Sequence, residues 1–136
     1  MSKAVINGWE LPWAKSQPPA ERMFRLIASP ESSGYEKATV LLVTIPPGGT
    51  TTMHTHPDSD EIIYVMGRAE GTVAGEKTKL ETDSVIIAPK GVEHECRNTS
   101  ETDMLKLFCV FLPPIKLNPI QAELAQRTKE YLKKKG

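Results

Sequence analysis

The sequence predicts an all-β sandwich or barrel with one helix at its carboxyl end, and three observations predict it. Apolar and β-branched runs of four to nine residues recur at short spacing between residues 22 and 112. Proline, glycine or a small polar cluster closes each run. Only residues 118–135 carry helical signals.

Residues 1–21 contain Pro12, Pro18 and Pro19 with Trp9 and Trp13, and read as an irregular arm. Tryptophans are costly to leave in water, so the arm is expected to pack on its own barrel or on a second subunit. The core barrel is expected over about 22–113. Met23–Ile27 opens it and is followed by a turn at 29–34. Ala38–Ile45 is a β-branched run stopped by Pro46-Pro47-Gly48-Gly49. Thr50–His56 is threonine-rich and reads as a strand ended by Pro57, because proline cannot donate to a ladder. Glu61–Met66 is a strand; Gly71–Ala74 and Glu76–Leu80 flank Gly75 as a hairpin. Ser84–Ala88, His94–Asn98 and Met104–Leu112 complete the set. In the tail, Asn118 can cap, Pro119 suits the first helical position and Gln121 completes a capping-box spacing. Ile120, Leu124, Thr128 and Tyr131 share a stripe, and Lys133–Lys135 suit the negative end of the helix dipole.

A chain of 136 residues suits a single domain, 1–136, with a core that needs no disulfide staples. Seventeen basic residues balance seventeen acidic ones, so no global charge favours nucleic acid or an anionic membrane. No run approaches the length of a membrane span, and the amino terminus lacks the pattern of a signal peptide. Cys96 and Cys109 are too few for a disulfide framework. A reduced cytoplasmic protein is the expectation.

The chain has three histidines, at 54, 56 and 94. His54 and His56, two apart in a strand, would point to the same face and could converge on one cation. Glu61 opens the next strand after the Pro57–Asp60 turn, where a carboxylate can reach back. His94 follows a second Pro/Gly turn and must arrive from across the fold. Three neutral imidazoles and a carboxylate suit a divalent first-row metal.

These residues resemble the two motifs of the cupin family, over roughly 40–112. Gly48, His54, His56 and Glu61 match the first motif; Gly67 falls one position early when counted from Glu61, and counting from Asp60 makes Asp60 the rival carboxylate. The strand Ile62–Met66 after Glu61 looks like the family's E-x-x-Y-V strand and favours Glu61. Pro89, Gly91, His94 and Asn98 match the second motif, with Asp83 where the family has glycine.

The resemblance implies a double-stranded β-helix, or jelly-roll barrel, with an N-terminal arm and a short C-terminal helix. It implies one divalent metal ion (iron, manganese, nickel, zinc or copper) held by His54, His56, Glu61 and His94, with one or two positions open. It also implies a small-molecule substrate or ligand and a homodimer joined through the sheet face outside the barrel. Strand parity adds Thr50 and Thr52 beside His54, Ile63 and Val65 beside Glu61, and Cys96 and Asn98 beside His94. Cys96 is expected to be a buried inert thiol, Asn98 a residue that holds a turn or orients a ligand, and Tyr64 a packing residue. Arg25 and Arg97 are the arginines considered for an anionic substrate, and arm or tail residues could close the pocket mouth. The family supports both oxygen-activating and Lewis-acid enzymes. A dioxygenase is therefore set slightly ahead of an isomerase, decarboxylase or lyase, and ahead of a non-catalytic ligand-binding module. One tail helix cannot supply a helix-turn-helix, which argues against a DNA-binding regulator.

Overall fold

The computed structural model describes residues 4–135, so the first three residues of the expected arm and the terminal Gly136 lie outside it. Nine strands and one helix follow in chain order: β1 (Ala14–Lys15), β2 (Met23–Ala28), β3 (Thr39–Ile45), β4 (Asp60–Met66), β5 (Ala69–Val73), β6 (Glu76–Leu80), β7 (Val85–Ala88), β8 (His94–Asn98), β9 (Leu105–Leu112) and α1 (Pro119–Lys135). They form a six-stranded sheet ordered β1-β2-β3-β9-β4-β7 and a three-stranded sheet ordered β6-β5-β8, with every pairing antiparallel. This two-layer arrangement is consistent with a jelly roll.

Alternation decides which side of each strand is buried. Thr39, Leu41, Val43 and Ile45 of β3 face inward, as do Leu105, Leu107, Cys109 and Phe111 of β9. The register sets Val43 against Leu107 and Leu41 against Cys109, and on the other side of β9 it sets Ile63 against Cys109. One continuous core results, to which β5, β6 and β8 contribute Ala69, Leu80 and Cys96. The β5–β6 hairpin turns on Ala74 and Gly75, both at positive φ, as tight two-residue hairpin turns favour. Asp83, which replaces the motif glycine, takes φ +79. Aspartate is among the few residues that tolerate that region, so the turn survives the replacement.

The tail helix has its expected start. Asn118 Oδ1 accepts from the Gln121 N–H at 2.8 Å, and Gln121 Oε1 accepts from the Asn118 N–H at 3.0 Å. Leu124, Ala125 and Thr128 bury its inner face, and the helix packs on β1 and β2. The arm is anchored by Leu11 and Ala14, whereas Trp9 stays 74% exposed and Trp13 46% exposed. The arm thus packs on its own barrel through other residues than the tryptophans that suggested it. Among the described residues no helix is long and apolar enough to cross a membrane.

One element differs from expectation. Residues 50–56 form no continuous strand; the segment meets β8 through isolated bridges, Thr50 with Arg97 and His54 with His94, and through hydrogen bonds of Thr51 with Cys96 and of Thr50 with Glu95. Thr52 at φ +62 breaks the extended run between them. The local pattern of threonines could not reveal a kink that the opposing strand stabilises.

Asn98 closes the end of β8. Its side-chain N–H groups donate to the carbonyls of Ile45 (3.1 Å) and Asp103 (2.8 Å), and its Oδ1 accepts from the Ser100 N–H (2.9 Å). It is almost fully buried, so nothing else can serve these backbone groups. Asn98→Ala is expected to lower stability by about 2–4 kcal/mol, because buried polar groups lose their partners. Urea unfolding of the variant beside the parent protein checks this.

Candidate metal centre

Both histidine motifs are fixed by the same stretch of backbone. His54 and His94 exchange two hydrogen bonds, the His54 N–H to the His94 carbonyl at 3.0 Å and the reverse at 2.9 Å. The Gly91 N–H donates to the His56 carbonyl at 2.9 Å, and Gly91 takes φ +77 to do so. The turn before β8 is therefore tied to the HxH segment at both histidines. Glu61, on β4, lies between Phe111 of β9 and Ala88 of β7 and is buried.

The side chains of His54, His56, Glu61 and His94 converge, each offering an atom within 4.8 Å of all the others. Bonds of about 2.1 Å place opposite ligands of one ion roughly 4.2 Å apart, so a small inward movement would let all four reach it. The ring centroids of His54 and His94 are 4.3 Å apart, and Phe111 packs edge-on against His56 at 4.8 Å. His54 Nδ1 donates to the Thr52 carbonyl at 2.7 Å, and His94 Nδ1 to the Val92 carbonyl at 3.1 Å. A carbonyl can only accept, so these bonds fix the proton on Nδ1 and leave Nε2 to face the cluster. His56 Nε2 is buried, lies 3.3 Å from Glu61 Oε1 and makes no hydrogen bond. Such an orphaned nitrogen beside a carboxylate is what a cation would satisfy. The residues fit a divalent metal ion.

The electrostatics agree. Burial alone would raise the Glu61 pKa, but the adjoining His56 and His94 imidazoles outweigh it and hold the carboxyl at about 2. Burial would likewise lower the His94 pKa, and the 2.9 Å contact with Glu61 reverses it, so His94 is raised. His54 goes down, chiefly through burial, which keeps it neutral and able to donate a lone pair.

The cluster lies at the base of a cavity of about 100 Å³ between the two sheets, with walls that include Phe24, Val43, Ile63, Leu107 and Phe111. Ser16 of the arm and Ile115, Asn118, Ile120 and Gln121 of the tail line it as well. Cys96 and Cys109 both border the space. Burial pushes the Cys96 thiol up to about 12 and the Cys109 thiol well above the usual thiol range, so both are inert as nucleophiles.

Several expected neighbours fall elsewhere. Asp60 is exposed and accepts from the Lys90 N–H at 2.9 Å, so it takes no part in the cluster. Thr51 lines the cavity in place of Thr50 and Thr52, because left-handed Thr52 upsets the parity; Thr50 instead donates to Glu95 at 2.7 Å. Ile63 lines the cavity, and Val65 is buried deeper in the core. Tyr64 lies on the outer face and donates to Asp83. Arg25 donates to the Leu11 carbonyl and Arg97 lies along a separate groove. The arginine that does line the cavity is Arg22, which the sequence reading missed. Its only signal was its place at the start of the first long strand.

A β-sandwich whose inner cavity gathers three histidines and a glutamate defines a class of small barrels equipped to hold a metal. A family model for the cupin domain matches residues 41–111, just over half of the chain, and the chain belongs to the cupin family. It is 31% identical over 85 residues to the tetracenomycin polyketide synthase protein TcmJ of Streptomyces glaucescens, a match covering 62% of this chain and 57% of that protein. A predicted oxalate decarboxylase from Thermotoga maritima superposes with a TM-score of 0.72 at 19% identity, over 80% of this chain and 98% of the other. KdgF from Halomonas sp. gives 0.67 at 22% identity, over 82% and 94%. At these identities the two structures show the fold alone.

The depressed Glu61 pKa has a consequence for the metal-free protein. A carboxyl held at about 2 when folded, against about 4.5 ordinarily, stabilises the fold fully above pH 4.5 and loses that contribution as pH falls towards 2. The loss amounts to something on the order of 3 kcal/mol. Glu61→Gln should flatten the acid limb of the stability curve over that window, as read by denaturant midpoints at successive pH values.

Proposed function

We propose that the protein is a metal-dependent enzyme acting on a small organic molecule, with His54, His56, Glu61 and His94 holding one divalent ion. The observation that carries this reading is that the cluster lines a cavity with largely apolar walls, and that His54 and His56 also line the groove that adjoins it. A structural metal has no need of such a space, whereas a catalytic one must leave a position open to substrate. An apolar cavity of roughly 150 Å³ holds a benzene. The 100 Å³ here therefore takes a small molecule, or one end of a larger one. The kinship with a protein named for polyketide synthesis is compatible with an organic skeleton as substrate.

The ion would supply either Lewis acidity or a centre for dioxygen. This chain's residues orient its ligands through the Thr52 and Val92 carbonyls and keep bulk water off with Phe111, Leu107 and Ile63. Apart from the cluster itself, no carboxylate or histidine lines the cavity among the described residues. Chemistry that needs a separate proton shuttle has none here, which favours a dioxygenase over an isomerase, decarboxylase or lyase. The free buried thiols fit a reducing cytoplasm.

The protein purified without added metal should carry about one ion per chain by elemental analysis, and His54→Ala should lose most of it. Metal affinity should weaken as pH drops through roughly 6.5, since each protonated imidazole is withdrawn as a ligand. Oxygen uptake with substrate loss, abolished in His54→Ala, supports the dioxygenase. Substrate loss without oxygen uptake moves the reaction to isomerisation, decarboxylation or lyase chemistry. Tight binding with no product makes the protein a binding module.

We also propose a homodimer through the outer face of the six-stranded sheet. Ile62, Val85, Ile87, Phe108 and Leu112 are all exposed there, and the register sets Ile62 directly beside Ile87 and Tyr64 beside Phe108. A sheet face this apolar marks an interaction surface. Light scattering should give twice the 15.0 kDa chain mass, and Ile87→Lys should give the monomer.

A further inference from the structure

The enclosed cavity contains one side chain of permanent positive charge, and among the described residues no carboxylate forms an ion pair with it, Glu61 acting on it only at longer range. Arg22 lines both the enclosed space and the groove that leads into it. Its side chain donates to the Ala20 carbonyl at 3.2 Å through Nη1. Among the described residues it has no carboxylate partner, whereas Arg68 and Arg127 pair with Glu81 and Glu123. A guanidinium has five N–H donors, so most of the fork is left to other acceptors. Glu61, the one carboxylate in the cavity lining, is engaged with His56 and His94.

The position of Arg22 is set by the backbone. Its N–H donates to Ser16 Oγ at 3.1 Å, and the Ser16 N–H donates to the Arg22 carbonyl at 2.9 Å. The arm thereby holds the start of β2 against the pocket mouth. Arg22 is half-buried, and burial lowers its pKa, but an arginine keeps its charge at any physiological pH. Desolvating a cation is costly unless an anion offsets it, so a cavity carrying an unpaired guanidinium favours an anionic guest. The planar fork matches a carboxylate in two parallel bonds. The cavity it lines also has Phe24, Leu41 and Val43 as apolar wall, with Ser16, Thr51, Asn118 and Gln121 as polar neighbours in the lining.

The geometry points to Arg22 as the anchor for a carboxylate on the small molecule that enters the cavity, the rest of which lies along the apolar walls towards the histidine cluster. This rests on the reading of the cavity as a substrate site and names the substrate class: a small organic acid. Arg22 makes no part of the metal cluster, so the carboxylate preference belongs to the protein with or without an ion.

That independence supplies the test. Isobutyrate and its neutral isostere isobutyramide are titrated calorimetrically into the protein as purified and into chelator-treated protein, for the parent, Arg22→Gln and Arg22→Lys. Metal content of each is measured alongside. The parent should prefer the acid over the amide in both states. Arg22→Gln should weaken acid binding at least tenfold while leaving the amide and the metal content unchanged, and Arg22→Lys should fall between. Acid binding equal in the parent and Arg22→Gln overturns the assignment, as does acid binding found only in metal-containing protein, where the carboxylate simply ligates the ion. Should Arg22→Gln fail to fold, the acid-to-amide ratio of chelator-treated parent protein decides, and a ratio near one overturns it. Absence of a metal would sink the enzymatic reading but not this one.

Discussion

The pair of backbone hydrogen bonds between His54 and His94 is the constraint on which the rest of the site depends. It clamps a segment with no sheet pairing of its own onto the first residue of β8. Without that clamp, residues 50–56 would be a surface loop between two sheets, and two of the three imidazoles would lose their bearing on Glu61. The contact of Gly91 with the His56 carbonyl extends the clamp, and the positive φ of Gly91 is what allows the turn to reach it.

A second consequence follows from burial. Glu61 is the one buried carboxylate among the described residues, and a carboxylate in that position needs positive charge close by. The neighbouring imidazoles provide it when one is protonated; a divalent cation would provide more. The raised pKa of His94 and the lowered one of Glu61 are two expressions of the same attraction. The site is thus a place where the fold concentrates a demand for cations, with one face of that demand turned towards a cavity.

The cavity itself is asymmetric. Its base is polar and ligand-rich, its walls are apolar, and its mouth carries Arg22 beside residues of the arm and tail. Those last segments are the least strand-like parts of the chain, yet their residues line the cavity beside Arg22. The arm does so through Ser16, which fixes Arg22, and the tail through the capped helix start at Asn118 and Gln121. Chains sharing the barrel can thus differ in what they admit without changing the ion site.

Most strand positions along the chain and the tail helix could be read from residue types and spacing, because these depend on local rules, and the resemblance to the family's motifs named the four residues of the candidate site. Alternation selects a buried face, proline and glycine stop strands, and Asn118-Pro119 begins a helix whatever surrounds it. The preference for Glu61 over Asp60 rested on the family resemblance of the strand that follows it, and strand alternation then buries Glu61 and exposes Asp60. The kink at Thr52, the exchange of Thr51 for its neighbours and the presence of Arg22 in the cavity were not legible. Each depends on contacts between segments far apart in the chain: 50–54 with β8, and the arm with β2. Such contacts leave no periodic trace in either partner, and only the folded molecule brings them together.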